Sequence, residues 1–288
     1  MTAQLLTIDA ATYHADLVDD QRPSLSASLI KVLLGQSPAH ARVQHPRLNP
    51  DYLRVDEERF DLGTSVHQMF LEGIDAVAIC PFDDWRTKAA KEARAEARAA
   101  GRIPMLLAQY EECEDMVEAL REQCNDHPEG PFFTRGTAER TIVWTDEYDV
   151  LCRARLDWLT DDHTAVNDLK STRASAHPDA WSRTALSIGA DLQYAFYLRG
   201  CRAVFGVEPE FTFVVAETYP PYAVQPFSVA PDTLALAEKK ISAALKLWAM
   251  CLRNNEWPAY SNHTAHITTP PYIEAAWLER ELREVEAA

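Results

Sequence analysis

The chain has 288 residues, 47% of them hydrophobic and 25% charged, the proportions of a folded globular protein with a sizeable core, which excludes extended disorder. A formal net charge of −16 excludes indiscriminate nucleic-acid binding, which needs a surplus of Lys and Arg against phosphate. No apolar run approaches the roughly 20 residues of a membrane span, and the start "MTAQLLTIDAATYHADLVDDQ" has acids where a secretory signal carries bases, so a cytoplasmic protein is expected.

In chain order, "PSLSASLIKVLLGQSPAHARVQ" (23–44) offers Ser24 or Ser26 as an N-cap before Leu29, Val32 and Leu33. This predicts a short helix that Pro38 stops soon after Gly35. In "FDLGTSVHQMFLEG" (60–73), Val66, Met69 and Phe70 recur at helical spacing after Thr64 or Ser65, so His67 falls in a helix's first turns. Residues 83–100 are rich in Ala, Glu, Lys and Arg but poor in large apolar residues, the composition of a solvated helix. Here Arg86, Lys88, Lys91, Arg94, Arg98 and Arg102 outnumber Glu92 and Glu96, a local basic stretch on an acidic chain. An apolar stripe through Leu106, Tyr110, Met116, Val117 and Leu120 predicts a helix over 105–124, closed by the turn-rich "NDHPEGP".

The period then changes from helical to alternating. Residues 138–145, 148–159 and 163–170 read as three strands of a meander. A helical stretch over 177–206 is broken at Gly189, "EFTFVVAETYP" and "YAVQPFSVA" form a second hairpin turning at Pro220 and Pro221, and Pro231 and Asp232 open a long helix within 231–258. The fold class is α/β, a central mixed β-sheet flanked by helices behind a helical N-terminal portion. One domain is expected, with 1–130 mainly helical, 131–230 the core sheet and helix, and 231–288 a C-terminal helix and tail. The six cysteines are scattered without a CxxC pair, so buried reduced thiols are expected rather than zinc ligands or disulfides. "HTAH" around His263 and His266 is short for a zinc site and reads as a loop.

Two strand-like segments finish on charges: Asp157 ends one, and Asp168 with Lys170 ends the next. Side chains two apart on a strand share a face, so Asp168 and Lys170 project together beside Asp157. Unpaired burial of such charges costs several kcal/mol, so they pair or a divalent cation neutralises the acids. Oxygen-rich ligation suits Mg²⁺ or Mn²⁺, with the backbone carbonyl of Leu169 available as a further ligand. Phosphodiester hydrolysis uses that equipment, with Lys170 orienting or deprotonating the attacking water.

With "LSASLIKVLLGQSPAHAR", "DLGTSVHQMFLEG", "AERTIVW", "RARLDWL", "VNDLKST" and "LQYAFYLRG" in this order, the sequence resembles the PD-(D/E)xK nuclease superfamily. Within it, the order is similar to the RecB-like branch typified by RecE (exonuclease VIII) and related phage exonucleases. Leu156 stands where the superfamily's name records a proline. The resemblance implies a restriction-endonuclease-like core and gives His67 the role of a helix-borne metal ligand, with Glu139 a further acid near the site. It also implies that Gln193 and Tyr197, four apart on one helical face, contact phosphate oxygens or the catalytic lysine. Arg155 shares a strand face with Asp157 and either binds a DNA phosphate or pairs with an acid, and Ser171, Thr172 and Arg173 follow Lys170 as candidate backbone contacts.

The expected activity is a Mg²⁺- or Mn²⁺-dependent 5′→3′ exonuclease with two ions, acting on double-stranded DNA ends in a bacterial or phage-infected cell. Polarity, a homo-oligomeric ring around DNA and an annealing recombinase as partner come from the resemblance alone. A ring reconciles acidic exterior and basic lumen if Arg86 to Arg102, or other bases, line the channel. No GxxxxGK[ST] motif is present, so no ATP is expected, and isolated Cys201 and Cys251 indicate no iron–sulfur cluster. The alternatives are an endonuclease or repair nuclease of the same superfamily, and an inactive DNA-end-binding scaffold.

Overall fold

The computed structural model describes residues 3–19, 21–52 and 62–286. The alternating stretch folds into β4 (Gly136–Thr145), β5 (Leu151–Thr160) and β6 (Ala165–Thr172), an antiparallel meander. The chain crosses through α7 (Pro178–Ser187) and α8 (Ala190–Phe205) to β7 (Glu210–Glu217), which pairs parallel with β6. A parallel neighbour needs such a long crossover because a tight hairpin only reverses direction. Strand β8 (Val224–Phe227) turns back on β7, and β1 (Ala3–Leu6) adds antiparallel to β4, giving one six-stranded mixed sheet of order β1-β4-β5-β6-β7-β8. Helices flank it, as the pattern predicts.

The N-terminal portion contains α1 (Ala10–His14), α2 (Ala27–Gly35), α3 (Pro38–Val43), α4 (Leu62–Glu72), α5 (Lys88–Ala99) and α6 (Leu107–Asp126). It is not purely helical. Strands β2 (Val77–Cys80) and β3 (Ile103–Leu106) pair parallel as a separate small sheet, so residues 105 and 106 leave the predicted helix. Ser26 caps α2 as expected, but Pro38 opens α3 behind its own cap, Ser37, because proline's missing N–H costs nothing in a first turn. Helix α4 begins at Leu62, earlier than the Thr64 or Ser65 start, and residues 60 and 61 lie outside the described part.

The chain divides into two compact units, Met1–Pro258 and Ala259–Ala288. In the first, α9 (Pro231–Asn254) buries Trp248 completely in a core shared with Phe196 and Leu198 of α8, Ile30 of α2, and Ile142 and Leu156 of the sheet. A second core joins Met69 of α4 and Met116 and Leu120 of α6 to Leu169 of β6 and Val214 of β7. The second unit holds α10 (Pro271–Glu286), a helix where a plain tail is expected, and His263 and His266 lie in its exposed coil. All six cysteines are buried free thiols.

Candidate active site

Asp157 and Asp168 lie inside β5 and β6 rather than at their ends, because both strands continue, to Thr160 and Thr172. What marks them is a parting of the ladder. Strands β5 and β6 pair at Leu159↔Val166 and Trp158↔Asn167, and one step further the Asp157 carboxylate accepts the Leu169 N–H at 2.9 Å. This hydrogen bond ties the β6 backbone beside Asp168 to the Asp157 carboxylate. On the other side of β5, Ala138↔Trp158 and Arg140↔Leu156 place Glu139 opposite Asp157. Glu139 has φ 59°, a left-handed conformation unfavourable for a residue of its size.

Helix α4 brings His67 to the same place, its Nε2 lying 2.9 Å from Asp157 Oδ2. One ligand atom each from His67, Glu139 and Asp157 lies within 4.8 Å of the others. Two carboxylates opposite one another repel, and an imidazole nitrogen beside them completes a hard donor set that a divalent cation would neutralise. The group fits an ion such as Mn²⁺ or Mg²⁺, provided His67 Nε2 is free of its proton. Asp168 is not in this triad. It is fully buried, its Oδ1 accepts from Lys170 Nζ, and its Oδ2 accepts from Gln193 Nε2 of α8 at 2.6 Å.

The electrostatics report too much negative charge for the positive charge present. Burial, then repulsion from Asp157, push the Asp168 carboxyl up to about 6 despite Lys170. Glu139 is raised for the same two reasons. Asp157 is also penalised by burial, yet the His67 charge and hydrogen bond, with Lys170 and the Leu169 N–H, hold it below the ordinary range. Burial works against the charged forms of His67 and Lys170 as well, but the surrounding carboxylates outweigh it and raise both. Protonated, Lys170 is a hydrogen-bond donor and a cation beside the carboxylates.

His67, Glu139, Asp157 and Lys170 open on a cavity of about 420 Å³ lined by α1, α2, α4, β4, β5, β6 and α8, whereas the buried Asp168 is not part of its lining. Tyr197 lines it with Gln193, and burial drives its phenol well above the ordinary range, so it remains a donor. Arg155 lines it too and pairs with Glu139, while its Nη1 donates to the Ile8 carbonyl at 2.9 Å. Ser171, Thr172 and Arg173 do not line the cavity; the buried Thr172 hydroxyl instead accepts the Ala174 N–H at 3.1 Å. Tyr13, Ser28, Lys31, Gln68 and Glu72 also line the wall, and no motif in the sequence marks them. They reach it by tertiary packing of α1, α2 and α4, which leaves no local pattern.

A family model described as a PDDEXK-like domain of unknown function (DUF3799) matches residues 26–270. No curated protein matches the chain. Among solved structures, the chain is similar to one from Eubacterium rectale described as a "Putative exonuclease", with a TM-score of 0.57 and 13% identity over 92% of this chain and 96% of that one. At that identity the likeness shows the fold.

Proposed function

The chain belongs to the PDDEXK-like family DUF3799, and on that footing we propose that it is a divalent-metal-dependent deoxyribonuclease, a 5′→3′ exonuclease that degrades double-stranded DNA from its ends. The product would be a 3′ single strand, the substrate of an annealing recombinase. One observation carries the reading: His67, Glu139 and Asp157 converge on one point in a cavity that Lys170 also lines. The fold shared with the Eubacterium rectale "Putative exonuclease" supports it.

A Mg²⁺ or Mn²⁺ ion held by His67, Glu139 and Asp157 would supply Lewis acidity toward a phosphoryl oxygen and toward water. A second ion belongs to the same proposal and would draw on Asp168, whose oxygens now hold Lys170 and Gln193. The chain's own groups do the positioning. Protonated Lys170 donates to a phosphate oxygen or to the attacking water and offsets charge that grows as the nucleophile approaches. Gln193 fixes the Asp168 carboxylate, and Arg155, tied to the Ile8 carbonyl, fixes Glu139. Tyr197 offers its hydroxyl hydrogen to a substrate oxygen.

Linear duplexes labelled at the 5′ or the 3′ ends, set beside covalently closed circles, test this reading. With Mg²⁺ or Mn²⁺, mononucleotides should leave from 5′ ends while circles stay intact. Nicked circles would replace the exonuclease by an endonuclease, and metal-dependent binding without hydrolysis would replace it by an end-binding scaffold.

A further inference from the structure

The cavity contains a second lysine that the proposed hydrolysis leaves unused. Lys31 of α2 lines it together with Lys170. Its aliphatic stem lies across Gly189, where a Cβ would come within 3.1 Å of Lys31 Cγ, Cδ and Cε. Gly189 precedes α8 at φ 70°, so both its backbone and the crossing stem favour a residue without a side chain. The stem is thereby held against Gly189 while Lys31 contributes to the cavity's lining.

That ammonium makes no hydrogen bond or ion pair with any described residue. The acids that attract it are already engaged: Asp191 Oδ2 accepts from Lys240 at 3.0 Å, and Asp168 holds Lys170 and Gln193. Burial, then repulsion from Lys170, push Lys31 below the ordinary lysine range. A half-buried ammonium beside another one, with Asp168 and Asp191 both engaged elsewhere, has no anion paired with it among the described residues. The triad that could hold a metal, His67, Glu139 and Asp157, comes from α4, β4 and β5, whereas the two lysines come from α2 and β6.

We propose that Lys31 is a phosphate-binding residue, taking a non-bridging oxygen of the backbone phosphate next to the one cleaved. This rests on the reading that the cavity receives DNA. Lys31 is a positioning residue that sets where along the strand the cleaved linkage falls.

The test uses the full chain, a fluorescent linear duplex, and Ca²⁺ in place of Mg²⁺ to measure binding over a salt series. Lys31→Met keeps the stem on Gly189 without the charge, Lys31→Gln is measured beside it so that a folding defect in one does not decide, and Lys31→Arg restores the charge. Each phosphate contact contributes about 0.7 to 0.9 to the slope of log affinity against log salt. Both neutral variants should lose about that much slope and bind roughly tenfold more weakly, with KM raised more than kcat is lowered, and Lys31→Arg should return the slope. Neutral variants with the wild-type slope and KM would overturn the assignment of Lys31 and leave the nuclease reading intact. A wild-type protein that neither binds nor cleaves DNA would overturn both.

Discussion

His45 shows how a single buried ring holds the wall of the cavity. It is fully buried, with Nε2 at 3.0 Å from the Ser24 carbonyl and 3.3 Å from Asp16 Oδ2. Arg153 Nη1 of β5 reaches the same Asp16 at 2.7 Å and the Ser24 carbonyl at 2.8 Å. This network ties the segments carrying α1 and α2 to β5, two strand positions from Arg155 and four from Asp157. Burial, more than any other influence, pushes His45 below the ordinary imidazole range although Asp16 pulls the other way. A lowered folded value means that the unfolded chain binds the extra proton first, so this contribution to stability is present above about pH 6.5 and is lost as pH falls. Wild type should therefore lose stability relative to His45→Gln between pH 7.5 and 5.5, which melting at several pH values reads directly. A constant difference across that window would show that His45 takes up its proton alike in the folded and unfolded states.

At the scale of elements, α8 carries Gln193 and Tyr197 and is seated on β4 by the absence of a side chain. A Cβ on Gly200 would meet Ile142 Cδ1 and Trp144 Cζ3, both at 2.6 Å. Gly200→Ala should cost about 1 to 3 kcal/mol of stability by overpacking and shift Gln193 away from Asp168, lowering kcat along with the melting temperature. An unchanged melting temperature would mean that the sheet and helix give way freely there. The elements legible from sequence were those with their own period: β4, β5 and β6, the break at Gly189, the hairpin at Pro220 and Pro221, and α9. Four-residue strands β1, β2 and β3 were not, since each exists only through a partner 26 or more residues away, as in Leu6↔Thr141 or Val77↔Ile103. The same division runs through the site. Asp157, Asp168 and Lys170 stand out as charges on strands, and His67, Glu139, Gln193 and Tyr197 entered by resemblance, whereas Lys31 is an ordinary helical lysine until Gly189 and the cavity surround it.

For the whole molecule, the net charge of −16 must be reconciled with a polyanionic substrate. Locally this is met by a cavity in which Lys31, Lys170, Arg155 and His67 face Glu72, Glu139 and Asp157. Helix α5, whose bases were expected on a channel wall, buries only Ala90 and Ala97, and Arg94 lies over the Trp85 ring. Assembly of several copies around DNA stays part of the proposal, and native mass above the 32.4 kDa of one chain would support it. No described helix is long and apolar enough to cross a membrane.

Soaking crystals of the protein with Mn²⁺ and recording its anomalous scattering asks whether an ion sits between His67, Glu139 and Asp157. A peak about 2.0 to 2.3 Å from His67 Nε2 and from oxygens of Glu139 and Asp157 is the expected outcome, absent in crystals of Asp157→Asn. Hydrolysis of linear DNA by a protein whose Mn²⁺ lies elsewhere, or by one in which this triad stays empty at saturating Mn²⁺, would contradict it.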